Sequence, residues 1–293
     1  MANERPGIHA VLWRLARPYQ WVKNGFVLVG LLFAHQWDEP AVLADAGLVL
    51  AAFCLMSSAV YALNDIADRE ADRAHPDKRR RPLASGAIGV RAAGTFALGL
   101  AVVALGLAAA VSPQALAILL AYLFLNVAYS AGLKHVAILD VFIIAAGFML
   151  RLLAGTLGIG IEPSRWLLLC GLMVTLFLGF CKRRAELVSV EEGERRPALA
   201  DYDGPLLDRM VGASGMLAVV CYGLYTVDAS TVELHGTAGL VWTLPFVLFG
   251  VFRYWFMVYH RGGGADPASE LPRDPFLAGA VAAWLVVVLA ILY

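Results

Sequence analysis

Nine apolar stretches dominate the 293-residue chain, at roughly 22–36, 45–63, 92–112, 114–133, 136–156, 165–181, 211–228, 238–258 and 276–293. About 20 apolar residues in an α-helix cross a hydrocarbon layer about 30 Å thick. Most of the stretches reach or approach that length; the first is short and extends back through Trp21. None shows the alternation of a barrel strand. In lipid the backbone must satisfy its own hydrogen bonds, so helices are the expected form. Composition agrees: 60% of residues are hydrophobic and 16% charged, against about 25% charged in a soluble domain.

Charge placement then sets the expected orientation. Counting the N-terminal segment and alternate loops, 21 of the 23 basic residues fall on one side; Arg151 and Arg165 are the two exceptions. The positive-inside rule makes that side cytoplasmic, with the N-terminus inside and the C-terminus outside. The expectation is a multi-pass protein of the cytoplasmic (inner) membrane. No linker separates domains, so residues 1–293 are expected to form a single transmembrane domain. The N-terminal 24 residues are interrupted by Arg5, Arg14, Arg17 and Lys23, so no signal-peptide apolar core is expected.

Net charge is zero, which gives no global attraction to nucleic acid. The four cysteines lie in or beside apolar runs without a CxxC pair and read as small buried hydrophobes. His75, His135, His235 and His260 are scattered without metal-ligand spacing, and no Ser/His/Asp or Cys/His arrangement stands out.

The second apolar stretch runs into "NDIADREADRAHPDKRRRPLASG", residues 64–86. On a continuing helix Asp65, Asp68 and Asp72 share one face. Three carboxylates on one face repel unless a cation sits among them. With Asn64 they make a hard-oxygen set suited to Mg²⁺, an ion that usually also binds substrate phosphate. The plainer reading is a solvated helix end with pairs such as Asp65–Arg69 and Glu70–Arg73. Lys78, Arg79, Arg80 and Arg81 follow, either as a topogenic cluster that also meets anionic lipid or as a phosphate clamp.

Other segments carry polar groups. In "RPYQWVKN" (17–24), Tyr19 and Trp21 suit interfacial anchoring and Lys23 can snorkel; alternatively Lys23 and Asn24 face the acidic helix across a cavity. Residues 129–155 hold Lys134, Asp140 and Arg151. Asp140 and Arg151 are three turns apart, about 16 Å along a helix axis, so each needs a separate partner or a ligand. "CKRRAEL" (181–187) places Lys182 four residues before Glu186, the spacing of a helical ion pair. Segments 73–86 and 260–275 are candidate lids.

Residues 64–86 resemble the first aspartate-rich motif of the UbiA superfamily of intramembrane prenyltransferases. That resemblance covers essentially the whole chain and implies an all-α, nine-helix bundle binding Mg²⁺-diphosphate in a central cavity on the cytoplasmic side. "RPYQWVKN", "SSAVYALNDIADREADRAHP", "GLKH" and "KRRAEL" together are similar to one branch of the superfamily. That branch moves 5-phosphoribosyl from phosphoribosyl diphosphate to a polyprenyl phosphate of decaprenyl type, releasing diphosphate, on the route to cell-wall arabinose donors. Aromatic prenyltransferases carry a second D-x-x-x-D motif after the sixth span; here residues 182–210 have no such pair.

The resemblance implies roles. Asn64, Asp65, Asp68 and Asp72 would hold Mg²⁺. Lys23, Asn24, Lys78, Arg79, Arg81, Lys134 and Arg151 would bind substrate charge. Lys182 and Arg183 would take the 5-phosphate, with Glu186 orienting them or meeting a ribose hydroxyl, and Tyr202 would join the substrate set. Asp65, Asp68, Lys23 and Glu186 are the expected catalytic groups. The expected partners are phosphoribosyl diphosphate, a polyprenyl phosphate and the bilayer, with homo-oligomers left open. Two competing expectations are prenyl transfer to an aromatic or other small acceptor and, outside enzymes, a transporter. A transporter would favour paired broken helices at mid-membrane, whereas these carboxylates sit at a helix end.

Overall fold

The structure is a computed structural model and describes residues 7–33, 39–76, 78–189, 197–262, 264, 270 and 273–292. Among these the regular structure is entirely helical. Eight helical segments are long and apolar enough to cross a membrane, and they coincide with eight of the nine expected stretches. The protein is a multi-pass membrane protein. The first expected stretch holds a helix of only eight residues, Phe26–Phe33, about 12 Å long. Residues 34–38, which include the last three of that stretch, lie outside the described residues, as do 263, 265–269 and 271–272 of the expected 260–275 lid.

The chain divides into two compact units: residues 1–131 with 150–162, and residues 132–149 with 163–293. The first begins with α1 (Ile8–Ala16), a 3-10 segment (Pro18–Gly25) and α2 (Phe26–Phe33). Helix α3 (Pro40–Ala67) follows, then α4 (Arg69–Ala74), α5 (Val90–Val111) and α6 (Pro113–Ala131). At 28 residues α3 is about 42 Å long, longer than the hydrocarbon layer, so it can carry carboxylates at one end while spanning with the rest. Its packing face is built from small residues. Ala59 and Ala62 pack with Ala93 and Ala97 of α5, and Ala52 with Ala104 and Ala108. Small side chains let helix backbones approach closely where lipid provides no hydrophobic drive.

Helix α7 (Leu139–Ala154) leads from the second unit into the first along the chain. Its end is fixed by Gly155, where an added Cβ would lie 1.6 Å from the carbonyl oxygen of Val27. Only glycine permits that approach. It brings the turn holding Arg151 beside the turn holding Asn24.

The second unit continues with α8 (Arg165–Ser189), α9 (Pro197–Ala200), α10 (Gly204–Val227), α11 (Ala229–His235), α12 (Leu244–His260) and α13 (Pro275–Leu292). Its core joins Val141, Phe177, Phe180, Val211 and Tyr254. Gly179 of α8 meets Val141 of α7; a Cβ there would stand 2.7 Å from the valine Cγ1. That contact sets Arg183, one turn beyond Gly179, beside Asp140. Asp203 caps α10 by accepting from Leu206 N at 2.6 Å, and Asp274 caps α13 by accepting from Leu277 N at 2.8 Å.

Candidate active site

The acidic motif straddles a helix break. Helix α3 ends at Ala67, Asp68 takes the junction (φ −90°, ψ 6°), and α4 resumes at Arg69. The ladder nevertheless carries through, with Asp68 N donating to Asn64 O and Asp72 N to Asp68 O, both at 2.8 Å. The register of a continuous helix is kept, so Asp65 and Asp72 reach the same partner, Arg81. Arg81 Nη1 lies 2.7 Å from Asp72 Oδ2 and 3.2 Å from Asp65 Oδ1.

Asp65 is 2% exposed and also meets Arg17, whose Nη2 is 2.5 Å from Oδ1. The placement of Arg17 starts with Ser58. That hydroxyl donates to Ala16 O at 2.8 Å, tying the end of α1 to α3, and accepts from Trp21 Nε1 at 3.0 Å. Arg17 then turns the chain with φ at 52°, directly before Pro18. Left-handed backbone is costly for a residue with a side chain, and it points Arg17 at Asp65, two turns beyond Ser58. Asn64 Oδ1 accepts from Ser130 Oγ at 2.6 Å.

These contacts amend the expectation for the motif. Among the described residues no three acidic, cysteine or histidine side chains group as a metal cluster. Arg17 and Arg81 neutralise the carboxylates instead, because buried like charges need a counter-ion from somewhere. The plain pairing of Asp65 with Arg69 is absent as well: Arg69 and Arg73 both meet Glu70, and the Arg69 hydrogen bond holds the Glu70 carboxyl below its ordinary value. The donor set still suits a hard divalent ion. Asp65 Oδ2 is buried with no hydrogen-bond partner, an oxygen with open ligand capacity beside Asn64, Asp68 and Asp72.

The basic run divides by position. Lys78 and Arg79 lie in a short 3-10 turn, Lys78–Arg80, with Arg79 and Arg80 exposed. Arg81 turns inward. Beyond it Leu83 and Ala84 are buried, and Arg73 Nε donates to Ala84 O at 3.3 Å. The expected lid at 73–86 is therefore pinned to the protein over its second half; Asp77 lies outside the described residues.

Lys23 is partly buried, and Asn24 is fully enclosed. Asn24 Nδ2 donates to Cys54 Sγ and Ser57 Oγ, each at 3.3 Å, so it faces α3 well before the acidic turn and not the carboxylates. Its Oδ1 accepts from Arg151 Nε at 2.7 Å. Arg151 also donates to Tyr122 OH at 3.0 Å and lies over the Tyr122 ring, 4.7 Å from its centroid. Arg151 was expected to bind substrate; the structure makes it the centre of a buried polar network.

In the second unit Asp140 is the hub. Arg183 Nε is 2.5 Å from Asp140 Oδ2, and Arg183 Nη1 contacts Glu186. Tyr202 OH donates to Asp140 Oδ1 at 3.0 Å and accepts from Ile138 N at 2.5 Å. Ile138 has φ at 68°, a strained setting for a β-branched residue, and this bond holds it. Burial raises the Tyr202 hydroxyl above its ordinary pKa, keeping it a donor. Two expectations change here. Arg183, 1% exposed, is committed to Asp140 and Glu186 rather than open to a phosphate, and Tyr202 acts as an internal tie. Lys182 is half-buried, and Lys134 sits in the 3-10 turn Leu133–His135.

The sequence reading overlooked Arg17, Ser58 and Ser130 as members of these clusters. It also overlooked the group in which Arg184 Nε and Tyr259 OH both donate to Asp208 Oδ1 at 2.6 Å. Arg17 opens the quoted "RPYQWVKN", but nothing in one sequence announces its left-handed turn.

The fold is that of a multi-pass helical membrane protein with a carboxylate set at one helix end held by arginines. The chain is a member of the UbiA prenyltransferase family, whose model matches residues 24–271. Within that family it is 33% identical over 296 residues to the decaprenyl-phosphate phosphoribosyltransferase of Mycolicibacterium smegmatis, covering 96% of this chain and 92% of that one. The protein of the same name from Corynebacterium glutamicum is 33% identical over 288 residues, covering 94% and 85%. A solved UbiA homolog from Archaeoglobus fulgidus bound to GPP and Mg²⁺ shares the fold, with a TM-score of 0.72 at 20% identity over 96% of this chain and 99% of that one.

Proposed function

We propose that this transferase moves 5-phosphoribosyl from phosphoribosyl diphosphate to a polyprenyl phosphate of decaprenyl type, releasing diphosphate. The observation that carries the reading is the 33% identity over nearly the full length to two decaprenyl-phosphate phosphoribosyltransferases. The cytoplasmic end of α8 and the residues after it support the reading, since "KRRAEL" (182–187) opens a stretch with no D-x-x-x-D pair, where an aromatic prenyltransferase carries its second acidic motif.

In the transfer, the bond from ribose C1 to the diphosphate oxygen breaks and the electron pair leaves with diphosphate. A new bond forms between C1 and an oxygen of the lipid phosphate. That phosphate is already ionised near neutral pH, so no general base is needed, in keeping with a chain whose motifs are acidic and basic rather than nucleophilic. Asn64, Asp65, Asp68 and Asp72 would hold Mg²⁺, which supplies charge neutralisation to the leaving diphosphate. Lys23, Lys78, Arg79 and Lys134 would stabilise the anionic oxygens as negative charge develops, while Arg81, paired with Asp65 and Asp72, would position the carboxylates. Lys182 would take the 5-phosphate. Arg183 and Glu186 are reassigned as positioning residues, because their charges are spent on each other and on Asp140.

The basic residues' asymmetry supports a cytoplasmic N-terminus and a cytoplasmic entry for the water-soluble donor. A second reading, prenyl transfer to an aromatic acceptor, is favoured by the likeness in fold to the homolog solved with GPP. The deciding experiment uses purified protein in detergent with Mg²⁺, ribose-labelled phosphoribosyl diphosphate and a polyprenyl phosphate. Label entering the lipid phase, abolished by EDTA, supports the first reading; no transfer at any acceptor length removes it.

A further inference from the structure

A groove of about 560 Å³ on the first unit is lined by Arg14, Arg17, Arg80 and Arg81, with Trp13 and Tyr19 at its sides. No acidic side chain lines it among the described residues. Arg17 and Arg81 are held from behind by Asp65 and Asp72. Arg14 and Arg80 are exposed and make no side-chain hydrogen bond or ion pair among the described residues. Four guanidinium groups against two carboxylates leave an excess of two positive charges. No acidic side chain among the described residues discharges it, and guanidinium forks match phosphate oxygens.

The flanks of the groove favour a lipid over a dissolved anion. Trp13 is 64% exposed and Tyr19 70%, with Ile8 and Val22 also more than half exposed. Helix α1, at nine residues, is about 14 Å long and too short to span. It buries Val11 and Leu15 against the protein while presenting an indole and arginines outward. Aromatic rings beside basic side chains on a short non-spanning helix are the pattern of a segment lying at the head-group level.

We propose that this groove binds the phosphodiester head group of an anionic membrane phospholipid. Arg14 and Arg80 supply the free phosphate donors, and Trp13 and Tyr19 lie along the glycerol and upper acyl region. The lipid is not consumed, and the proposal does not rest on the transfer reaction. It assigns a function to Arg14 and Arg80, which that reaction does not use.

The test is native mass spectrometry of the full chain released from detergent, titrated with palmitoyl-oleoyl phosphatidylglycerol, the matching phosphatidylcholine, inorganic phosphate and farnesyl phosphate. The wild type should retain phosphatidylglycerol about tenfold more tightly than phosphatidylcholine. Arg14→Gln/Arg80→Gln should lose that preference at an unchanged unfolding temperature, and Arg14→Lys/Arg80→Lys should keep part of it. An undiminished preference in the glutamine variant overturns the proposal, as does equal retention of the two lipids. Displacement of phosphatidylglycerol by equimolar inorganic phosphate would make this a soluble-anion site. Loss of farnesyl phosphate binding alone in the glutamine variant would make it a phosphomonoester-lipid site. Should the glutamine variant fold poorly, phosphatidylglycerol brominated on its acyl chain gives an independent reading. It should quench wild-type fluorescence more than that of Trp13→Phe, and equal quenching contradicts the assignment.

Discussion

Arg17 and Asp65 stand 48 positions apart in sequence and 2.5 Å apart in space. Their contact closes a short structural circuit. Ser58 holds the end of α1, the left-handed turn at Arg17 redirects its side chain, and the guanidinium reaches the last turn of α3. Arg81 arrives at the same carboxylate from the far side of α4. A carboxylate proposed to hold a metal is thus oriented by two cations.

That circuit predicts strong coupling. Arg17→Ala removes the nearer cation from a buried carboxylate and should destabilise the protein by about 3 kcal/mol. Asp65→Asn in the same chain should recover much of the loss, because the amide needs no counter-charge. Unfolding curves of the two single variants and the double variant in detergent check this; strictly additive effects would show the contact to be incidental.

Asp68 separates the metal role from folding. It occupies the junction between α3 and α4, is only partly buried, and its backbone, not its side chain, carries the ladder. Asp68→Asn should keep the wild-type unfolding temperature and lower turnover at least about a hundredfold. Wild-type-like turnover would remove Asp68 from the metal set.

For Arg183 the structure predicts a stability effect rather than a binding effect. Lysine cannot span Asp140 and Glu186 with one fork, so Arg183→Lys should cost about 2 kcal/mol of stability with the donor KM little changed in the folded fraction. A raised donor KM at unaltered stability would return Arg183 to the phosphate subsite.

The link between α12 and α13 carries a pH signature. Arg253 Nη2 is 2.7 Å from Asp274 Oδ2, and the Arg253 hydrogen bond lowers the Asp274 carboxyl to about 2. An unfolded aspartate titrates near about 3.9. A folded pKa below the unfolded one stabilises fully above the unfolded value, and the contribution fades as pH falls through the folded one. The unfolding-temperature gap between wild type and Asp274→Asn should hold steady above about pH 5 and close as pH falls toward about 2. A gap unchanged down to that pH would contradict the assignment.

Much of this was readable in the sequence, for identifiable reasons. Spanning helices announce themselves because lipid demands long apolar runs, and eight of the expected stretches are helices in the structure. The acidic motif was visible because its residue types and spacing survive a helix break that keeps register. The need of Asp140 and Arg151 for separate partners followed from the helical rise alone. Which partners they found did not. Asn24 meets Arg151 across 127 positions, and the approach depends on Gly155 pressing against the Val27 carbonyl. Arg183 looked like a phosphate ligand because a sequence reports its charge and not its burial between Asp140 and Glu186. The left-handed turn at Arg17 is a product of tertiary contacts, and the residue before a proline gives no hint of it.

The central claim is the identity of the donor. The most direct measurement offers the purified protein Mg²⁺, phosphoribosyl diphosphate, a polyprenyl phosphate, a prenyl diphosphate and an aromatic acid together, and identifies the lipid products by mass. The account predicts a polyprenyl phosphate carrying one phosphoribosyl group, with the prenyl diphosphate untouched. A prenylated aromatic acid, with the polyprenyl phosphate unchanged, would contradict it.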